Sequence, residues 1–291
     1  KMSISRKVNL FFKKLLPSIF SSGVTQINVL VGTIIASFET SAVSYLYYAD
    51  RIYQINLAIA GIAVGAVSLP TLSKAFKKKN SLKISKIQNI SIELSLLLSI
   101  PASLGLILAS EEIVNALFGY GSFTSEDIKL TGKALKFFGY GIPAFALIKV
   151  LSNFFFARND TKNPFYISVF VVFLNILISL IFFKSIGFII IPIATSISTW
   201  AGVAIYVLLL KKTKVFSIEI NLIKKVFKII ISAVLMSLGL LYGLDYFSAN
   251  LEYYNKFKSI YLMFIISLVT TIYLISCYLL GILKIKNYKT N

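Results

Sequence analysis

The sequence contains no histidine and a single cysteine, Cys277, in 291 residues. These absences remove whole classes of chemistry. Without imidazole there is no Ser-His-Asp or Cys-His relay and no haem held by histidine, and a zinc site would lack its usual ligands. One cysteine forms no disulfide within the chain, and Cys277 lies in an apolar run where a small packing side chain is expected. Charge is scarce too: 14% of residues are charged, against roughly 25% in a soluble domain that must keep its surface wet. No G-x-x-x-x-G-K-[ST] phosphate loop is present, so no ATP bound here drives transport, and no loop gathers carboxylates around a divalent metal. The expectation is a protein that is not an enzyme, with no catalytic residues and no metal.

What is abundant is apolar. The chain is 57% hydrophobic with a mean hydropathy of +0.83, so much of its surface must face lipid. A crossing needs about 20 apolar residues. Candidates fall at 15–38, 42–70, 87–110, 129–156, 164–183, 187–210, 223–247 and 259–283. The first run is too long for a signal-peptide core and no small-x-small site follows it, so it reads as a span. The predicted fold class is therefore all-α, a polytopic transmembrane helical bundle of about eight spans.

The net charge of +19 comes from short clusters between the apolar runs, a pattern of membrane topology and not of a nucleic-acid face. Lysine and arginine crowd alternate loops: the N-terminus, 74–86, Arg158 with Lys162, 211–228, and Lys284 to Lys289. The intervening loops hold Glu39, then Glu111, Glu112, Glu126 and Asp127, then Asp245 and Glu252, with a few lysines such as Lys184, Lys256 and Lys258. The positive-inside rule then places both ends in the cytoplasm. The chain starts at Lys1 rather than an initiator Met, and is expected to be a piece of something longer.

Several spans carry helix disruptors: Pro101 and Gly105; Gly139, Gly141 and Pro143; Gly187 and Pro192. Such breaks survive in a membrane only where neighbours or a wet cavity satisfy the freed backbone. They fit either ordinary kinking or bending between two transport states. Gly61 and Gly65 form a G-x-x-x-G that suits close approach of another helix.

Two cations sit inside apolar runs. If the second span begins near Ser41, Arg51 lies about 15 Å along it, where a charge is costly and usually faces a cavity or partner. Asp50 points about 100° away and is no i,i+4 partner. If the span is instead Ile52 to Ser73, both charges lie at the interface among tyrosines. An arginine in a cavity suits an anion such as a pyrophosphate. Lys149 either snorkels toward the Arg158 side or faces the same pathway. Asn175 and Ser179 share a face of the fifth span, with Thr195 in the sixth; interhelical hydrogen bonding and a cation site are both open.

The run Val43-Ser-Tyr-Leu-Tyr-Tyr-Ala-Asp-Arg51, continued by Gly61-Ile-Ala-Val-Gly65 through Leu69-Pro70-Thr-Leu-Ser73, resembles the MurJ/MviN family of lipid II flippases. Ala116-Leu-Phe-Gly-Tyr-Gly-Ser-Phe-Thr124, Lys149-Val-Leu and Phe155-Phe-Ala-Arg-Asn-Asp160-Thr-Lys-Asn-Pro164 follow in order. The resemblance implies a MATE-like six-helix lobe of the multidrug/oligosaccharidyl-lipid/polysaccharide (MOP) exporter superfamily over 1–215. Two additional helices over 216–291 would form a lipid-tail groove, and the first lobe would be missing. It implies a bacterial plasma-membrane flippase with no cofactor, in which Arg51 contacts the lipid II pyrophosphate, Asp50 orients it and Lys149 lies on a shared motif. Some members bind sodium at positions matching Asn175, Ser179 and Thr195. Here Ser179 replaces a carboxylate and none occurs near Val31, so membrane potential or another ion is the alternative drive. The implied partners are lipid II, membrane lipids, the first lobe and the cell-wall synthesis and division machinery, with no nucleic acid. An exporter of another lipid-linked oligosaccharide or a drug, and a non-transporting scaffold, are the competing readings.

Overall fold

In the computed structural model the structure describes residues 26–212 and 216–283. All regular structure among them is helical. The order is α1 (Gln26–Ala36), α2 (Ala42–Leu57), a π-turn (Ala58–Ile62), α3 (Ala63–Lys77), α4 (Ser81–Leu108), α5 (Ser110–Phe118), α6 (Ser125–Gly139), α7 (Ile142–Phe156), α8 (Lys162–Ile186), a 3-10 turn (Gly187–Ile189), α9 (Ile190–Lys212), α10 (Ile220–Tyr246), a second 3-10 turn (Ser248–Leu251) and α11 (Lys258–Leu279).

Among the described residues five stretches are long and apolar enough to cross a membrane, and the α6–α7 pair, bent by 41°, makes a sixth. One stretch, Lys162–Lys212, runs to 51 residues and is two crossings. Gly187 ends α8 at φ 74°, a backbone that favours glycine, and α9 returns along α8. The exposed Glu39 carboxylate accepts from the Phe188 N–H at 2.7 Å, which satisfies a free donor of the turn. Of the expected first span, 15–38, only α1 and its C-terminal end fall within the described residues.

The predicted breaks behave differently. α4 continues unbroken past Pro101 and Gly105. The α6–α7 helix does bend, and side chains recover three of its carbonyls: Ser196 Oγ donates to Phe137 O at 2.7 Å, Ser103 Oγ to Gly139 O at 2.8 Å and Trp200 Nε1 to Tyr140 O at 3.0 Å. A bent backbone inside lipid requires such partners. A β-carbon at Gly141 would stand 2.8 Å from Ser196 Oγ, so the residue that bends the helix also lets α9 come close enough to mend it.

Three apolar clusters hold the bundle. One joins α2, α5 and α6 with the 188–191 turn. A second joins α3, α7, the start of α4 and the end of α9. The third seats α10 and α11 on α4 through Ile229, Ala233, Met236, Leu240, Ile265 and Val269, with Tyr273 Oη donating to Leu97 O at 2.7 Å. Basic loops gather at one end of the bundle. There Asn89 Nδ2 donates to Ser217 O at 2.9 Å, Lys225 pairs with Glu93 at 2.7 Å, and Phe154 meets Phe216. The acidic segments meet at the other end, where Tyr45 donates to Asp127 at 2.9 Å and Tyr253 to Phe123 O at 2.8 Å.

Candidate functional site

α2, the π-turn and α3 form one helical rod of 36 residues, Ala42–Lys77, about 54 Å long at 1.5 Å per residue. One side of it is packed, by Ala42, Ala49, Ile52, Tyr53, Ala60, Val64 and Leu72. The other side is open on both halves of the rod, with Ser44, Tyr47, Arg51, Gln54 and Ala58 recurring at three- and four-residue spacing before the π-turn and Val67 and Thr71 after it. Arg51 is therefore on the open face. Its guanidinium lies over the Tyr47 ring, 4.6 Å from the centroid, a stacking that steadies the planar cation without neutralising it. The Asp50 carboxylate accepts from Gln54 Nε2 one turn on. The arginine is thus oriented by an aromatic ring, while aspartate and glutamine pair along the same helix.

The helix starts at Ala42, so Arg51 is within it. Measured back from Lys74, twenty-three residues on, Arg51 is about 34 Å away, slightly more than the ~30 Å of hydrocarbon. A membrane whose far boundary is marked by the Lys74–Lys79 cluster thus has Arg51 at its opposite edge, the interfacial one of the two positions open from the sequence.

Lys149 lies on α7, the most enclosed helix of the bundle. It is the one exposed residue there between Ile142 and Phe155. It emerges beside the π-turn, where a β-carbon at Gly61 would stand 3.4 Å from Lys149 Cγ and 3.3 Å from Ala146 Cα. The G-x-x-x-G does bring the helices together. Gly65 exposes its carbonyl to Asn153 Nδ2 at 2.7 Å, and Ser68 Oγ donates to the same oxygen at 3.1 Å. π-turns are rare and frequent at functional sites, and this one separates the two cations. Gly61 is ten residues beyond Arg51, about 15 Å along the rod, so Arg51 and Lys149 are spaced along the rod and do not form one cluster.

Asn175, Ser179 and Thr195 do come together. Asn175 Nδ2 donates to Thr195 Oγ1 at 2.9 Å, Ser179 Oγ to Asn175 Oδ1 at 3.3 Å and Thr195 Oγ1 to Ile191 O at 2.8 Å. Asn175 and Ser179 are buried. The hydrogen bonds link α8 to α9 and close on themselves. Among the described residues no group of three or more acidic or sulfur ligands is placed to hold a metal ion.

Lys258 was legible only as one more loop cation. It is in fact 1% exposed. Its ammonium donates to Asn115 Oδ1 at 2.9 Å, Gly119 O at 2.6 Å and Tyr253 O at 2.8 Å, and lies under the Tyr120 and Tyr253 rings at 4.3 and 4.9 Å. All three donors are satisfied by neutral oxygens. Beside it, a cleft of about 290 Å³ lies between Glu111, Glu112, Lys129, Glu252 and Tyr253. Burial there, with Glu111 adjacent, pushes the Glu112 carboxyl above its ordinary range.

A helical bundle of several crossings, with a bent span and an open rod face that carries Arg51, is the architecture of a polytopic membrane protein. The fold agrees with a multidrug-resistance MATE family transporter of the MOP superfamily in an outward-facing conformation, at a TM-score of 0.59 over 90% of this chain and 60% of that one, with 14% identity. A closer likeness is to the inward closed conformation of the lipid II flippase MurJ, with a TM-score of 0.76 and 27% identity over 96% of this chain and 56% of that one. Residues 1–263 match the family described as lipid II flippase MurJ. The chain belongs to that family. It is 39% identical over 232 residues to a probable lipid II flippase MurJ of Rickettsia prowazekii (strain Madrid E), covering 78% of this chain and 45% of that protein. The chain spans about half the length of the curated relatives it matches.

Proposed function

We propose that the protein to which this chain belongs flips lipid II, the undecaprenyl-pyrophosphate-linked peptidoglycan precursor, across a bacterial plasma membrane, without making or breaking a bond. The observation that carries this reading is the bare, cation-bearing face of the Ala42–Lys77 rod in a chain whose family match runs over residues 1–263. Residues 1–215 act as the second lobe and 216–291 as an accessory pair along which the lipid tail lies. The first lobe supplies the other wall, facing the rod. The lysine-rich end is cytoplasmic, by the positive-inside rule, and so are both termini.

In this mechanism the diphosphate is drawn to Arg51 by charge-assisted hydrogen bonds, in a setting where the planar guanidinium is held by Tyr47. Lys149, about 15 Å further along the rod, meets the headgroup at another stage of its passage. Two lobes rocking about such a cavity keep the headgroup out of hydrocarbon while the tail stays in lipid. The closed hydrogen bonds of Asn175, Ser179 and Thr195 support a clamp between α8 and α9, with membrane potential driving the cycle.

Depletion of the full protein tests the substrate: lipid II accumulates in the inner leaflet. Accumulation of a different lipid-linked saccharide would transfer the reading to a related exporter. Arg51→Ala at wild-type abundance fails to complement depletion, whereas Arg51→Lys, which keeps charge and loses the planar fork, complements in part. Full complementation by Arg51→Ala would overturn the role given to Arg51.

A further inference from the structure

At the basic end of the bundle, a cavity of about 480 Å³ opens between the start of α10 and the end of α11. It is lined by Asn221, Lys224, Lys225, Lys228, Gly281 and Ile282, with no carboxylate among them. Three of the backbone acceptors at the end of α11 are already used. α11 ends in a turn with Gly281 at φ 71°, where the Gly281 N–H donates to Tyr278 O and the Ile282 N–H to Cys277 O, each at 2.9 Å. That Schellman pattern satisfies two of the last carbonyls. Lys228 Nζ takes a third, Leu280 O, at 2.7 Å. The negative end of α11 is thereby covered.

The remaining groups are cationic or donating. Lys225 reaches back to Glu93, whose two oxygens it meets at 2.7 and 2.8 Å. Lys224, one turn before Lys228 on the same helix, is exposed. Asn221 is exposed in the first turn of α10, where the helix presents the positive end of its dipole. Around the cavity the surface turns apolar at once. Ile223 and Phe227 project outward at 58% and 63% exposure beside Lys224, and Tyr278 and Leu279 do so beside Gly281. A cationic pocket at the head of an outward-facing apolar surface fits a ligand that is anionic at one end and hydrocarbon at the other.

We propose that this cavity holds the phosphate of a resident anionic phospholipid, with Lys224 and Asn221 as its free contacts and its acyl chains on the outer faces of α10 and α11. This site is on the accessory pair, apart from Arg51 and Lys149, and does not depend on the identity of the transported lipid. Lysine-rich pockets between membrane helices are a general means of retaining anionic headgroups.

Native mass spectrometry of the full-length protein tests it, with phosphatidylglycerol and phosphatidylcholine of matched chains. Phosphatidylglycerol is retained preferentially. Lys224→Gln lowers its retention by about fivefold, the attraction of one lysine to an anionic lipid, and leaves phosphatidylcholine unchanged. Lys212→Gln, an exposed lysine at the same end but outside the cavity, has no effect. Asn221→Ala provides a second variant whose exposed side chain carries no core packing. Unchanged phosphatidylglycerol retention in both cavity variants would overturn the proposal. So would an equal loss in Lys212→Gln, or displacement of the lipid by inorganic phosphate alone, which would assign the cavity to a soluble anion.

Discussion

Lys258 offers the sharpest test of how the accessory pair is fixed to the rest of the chain. The ammonium is buried with no carboxylate among its contacts, yet each of its three hydrogens has an oxygen within 2.9 Å. Hydrogen bonds from a charged donor contribute about 1.5–3 kcal/mol apiece, so three of them gain roughly 5–9 kcal/mol. Burying the ammonium costs several kcal/mol after relaxation. The two aromatic faces return about 0.5–2 kcal/mol each. The balance favours the folded state by a few kcal/mol. Lys258→Met keeps most of the stem volume, removes the donors and strands Asn115 Oδ1, Gly119 O and Tyr253 O. The expected loss is about 2–4 kcal/mol, since each stranded buried acceptor costs about 1–3 kcal/mol while the desolvation term disappears. Reversible unfolding in mixed micelles measures it. A double-mutant cycle with Asn115→Leu separates the pair from general damage, because residues of one network lose less together than the sum of their separate losses. A Lys258→Met protein within 0.5 kcal/mol of wild type on that scale, or strict additivity with Asn115→Leu, would refute the reasoning.

Other expectations follow from the same geometry. Gly65→Val puts a branched side chain where a β-carbon already stands 3.1 Å from Asn153 Nδ2; it parts the rod from α7, costs about 1–3 kcal/mol as overpacking does, and abolishes complementation at normal abundance, scored by viability after depletion. Asn175→Leu breaks the link to Thr195 and lowers stability by about 1–2 kcal/mol, while transport by the wild-type protein in vesicles is the same in sodium and potassium at equal membrane potential. The raised Glu112 carboxyl makes the folded state hold its proton longer than the unfolded chain does. Stability is therefore full below the ordinary glutamate range and falls as pH rises through the raised value; Glu112→Gln removes that slope, read as melting temperature against pH.

The spans were legible because length and apolarity alone define a crossing, and the charge pattern fixed which loops share an end. The structure bears this out through contacts such as Lys225 with Glu93 and Tyr45 with Asp127. The G-x-x-x-G was legible for a similar reason, as spacing is itself the signal. The π-turn was not. It arises from how α7 presses on Gly61 and from Asn153 reaching Gly65 O, a tertiary effect without a local pattern. Lys258 was also hidden, since Tyr253-Tyr-Asn-Lys-Phe-Lys258 reads as a wet loop until Asn115 and Gly119 are brought beside it from over a hundred residues away. Pro101 leaves α4 one unbroken helix.

The placement of Arg51 ties these strands together. A continuous rod of about 54 Å cannot fit within ~30 Å of hydrocarbon, so its ends must be wet or its axis tilted. Among the described residues the packed side chains lie on one side of it, and the open side carries Arg51 near one boundary and ends in Lys74 at the other. Between them lies the π-turn, beside which Lys149 emerges. A lone charged group at the edge of the membrane costs little, whereas at mid-depth it is costly. Under the proposed function, an anion would then be received where its partner cation is cheap to hold, with the π-turn and the second cation, Lys149 on α7, further along the rod. If passage follows this order, Lys149→Ala should slow translocation while sparing capture of an undecaprenyl-pyrophosphate lipid, and Arg51→Ala should weaken capture itself. Single-turnover flipping in vesicles, paired with lipid-binding measurements on the same variants, separates the two. Equal loss of binding in both variants would mean that the cations act at one place, contrary to their spacing along the rod.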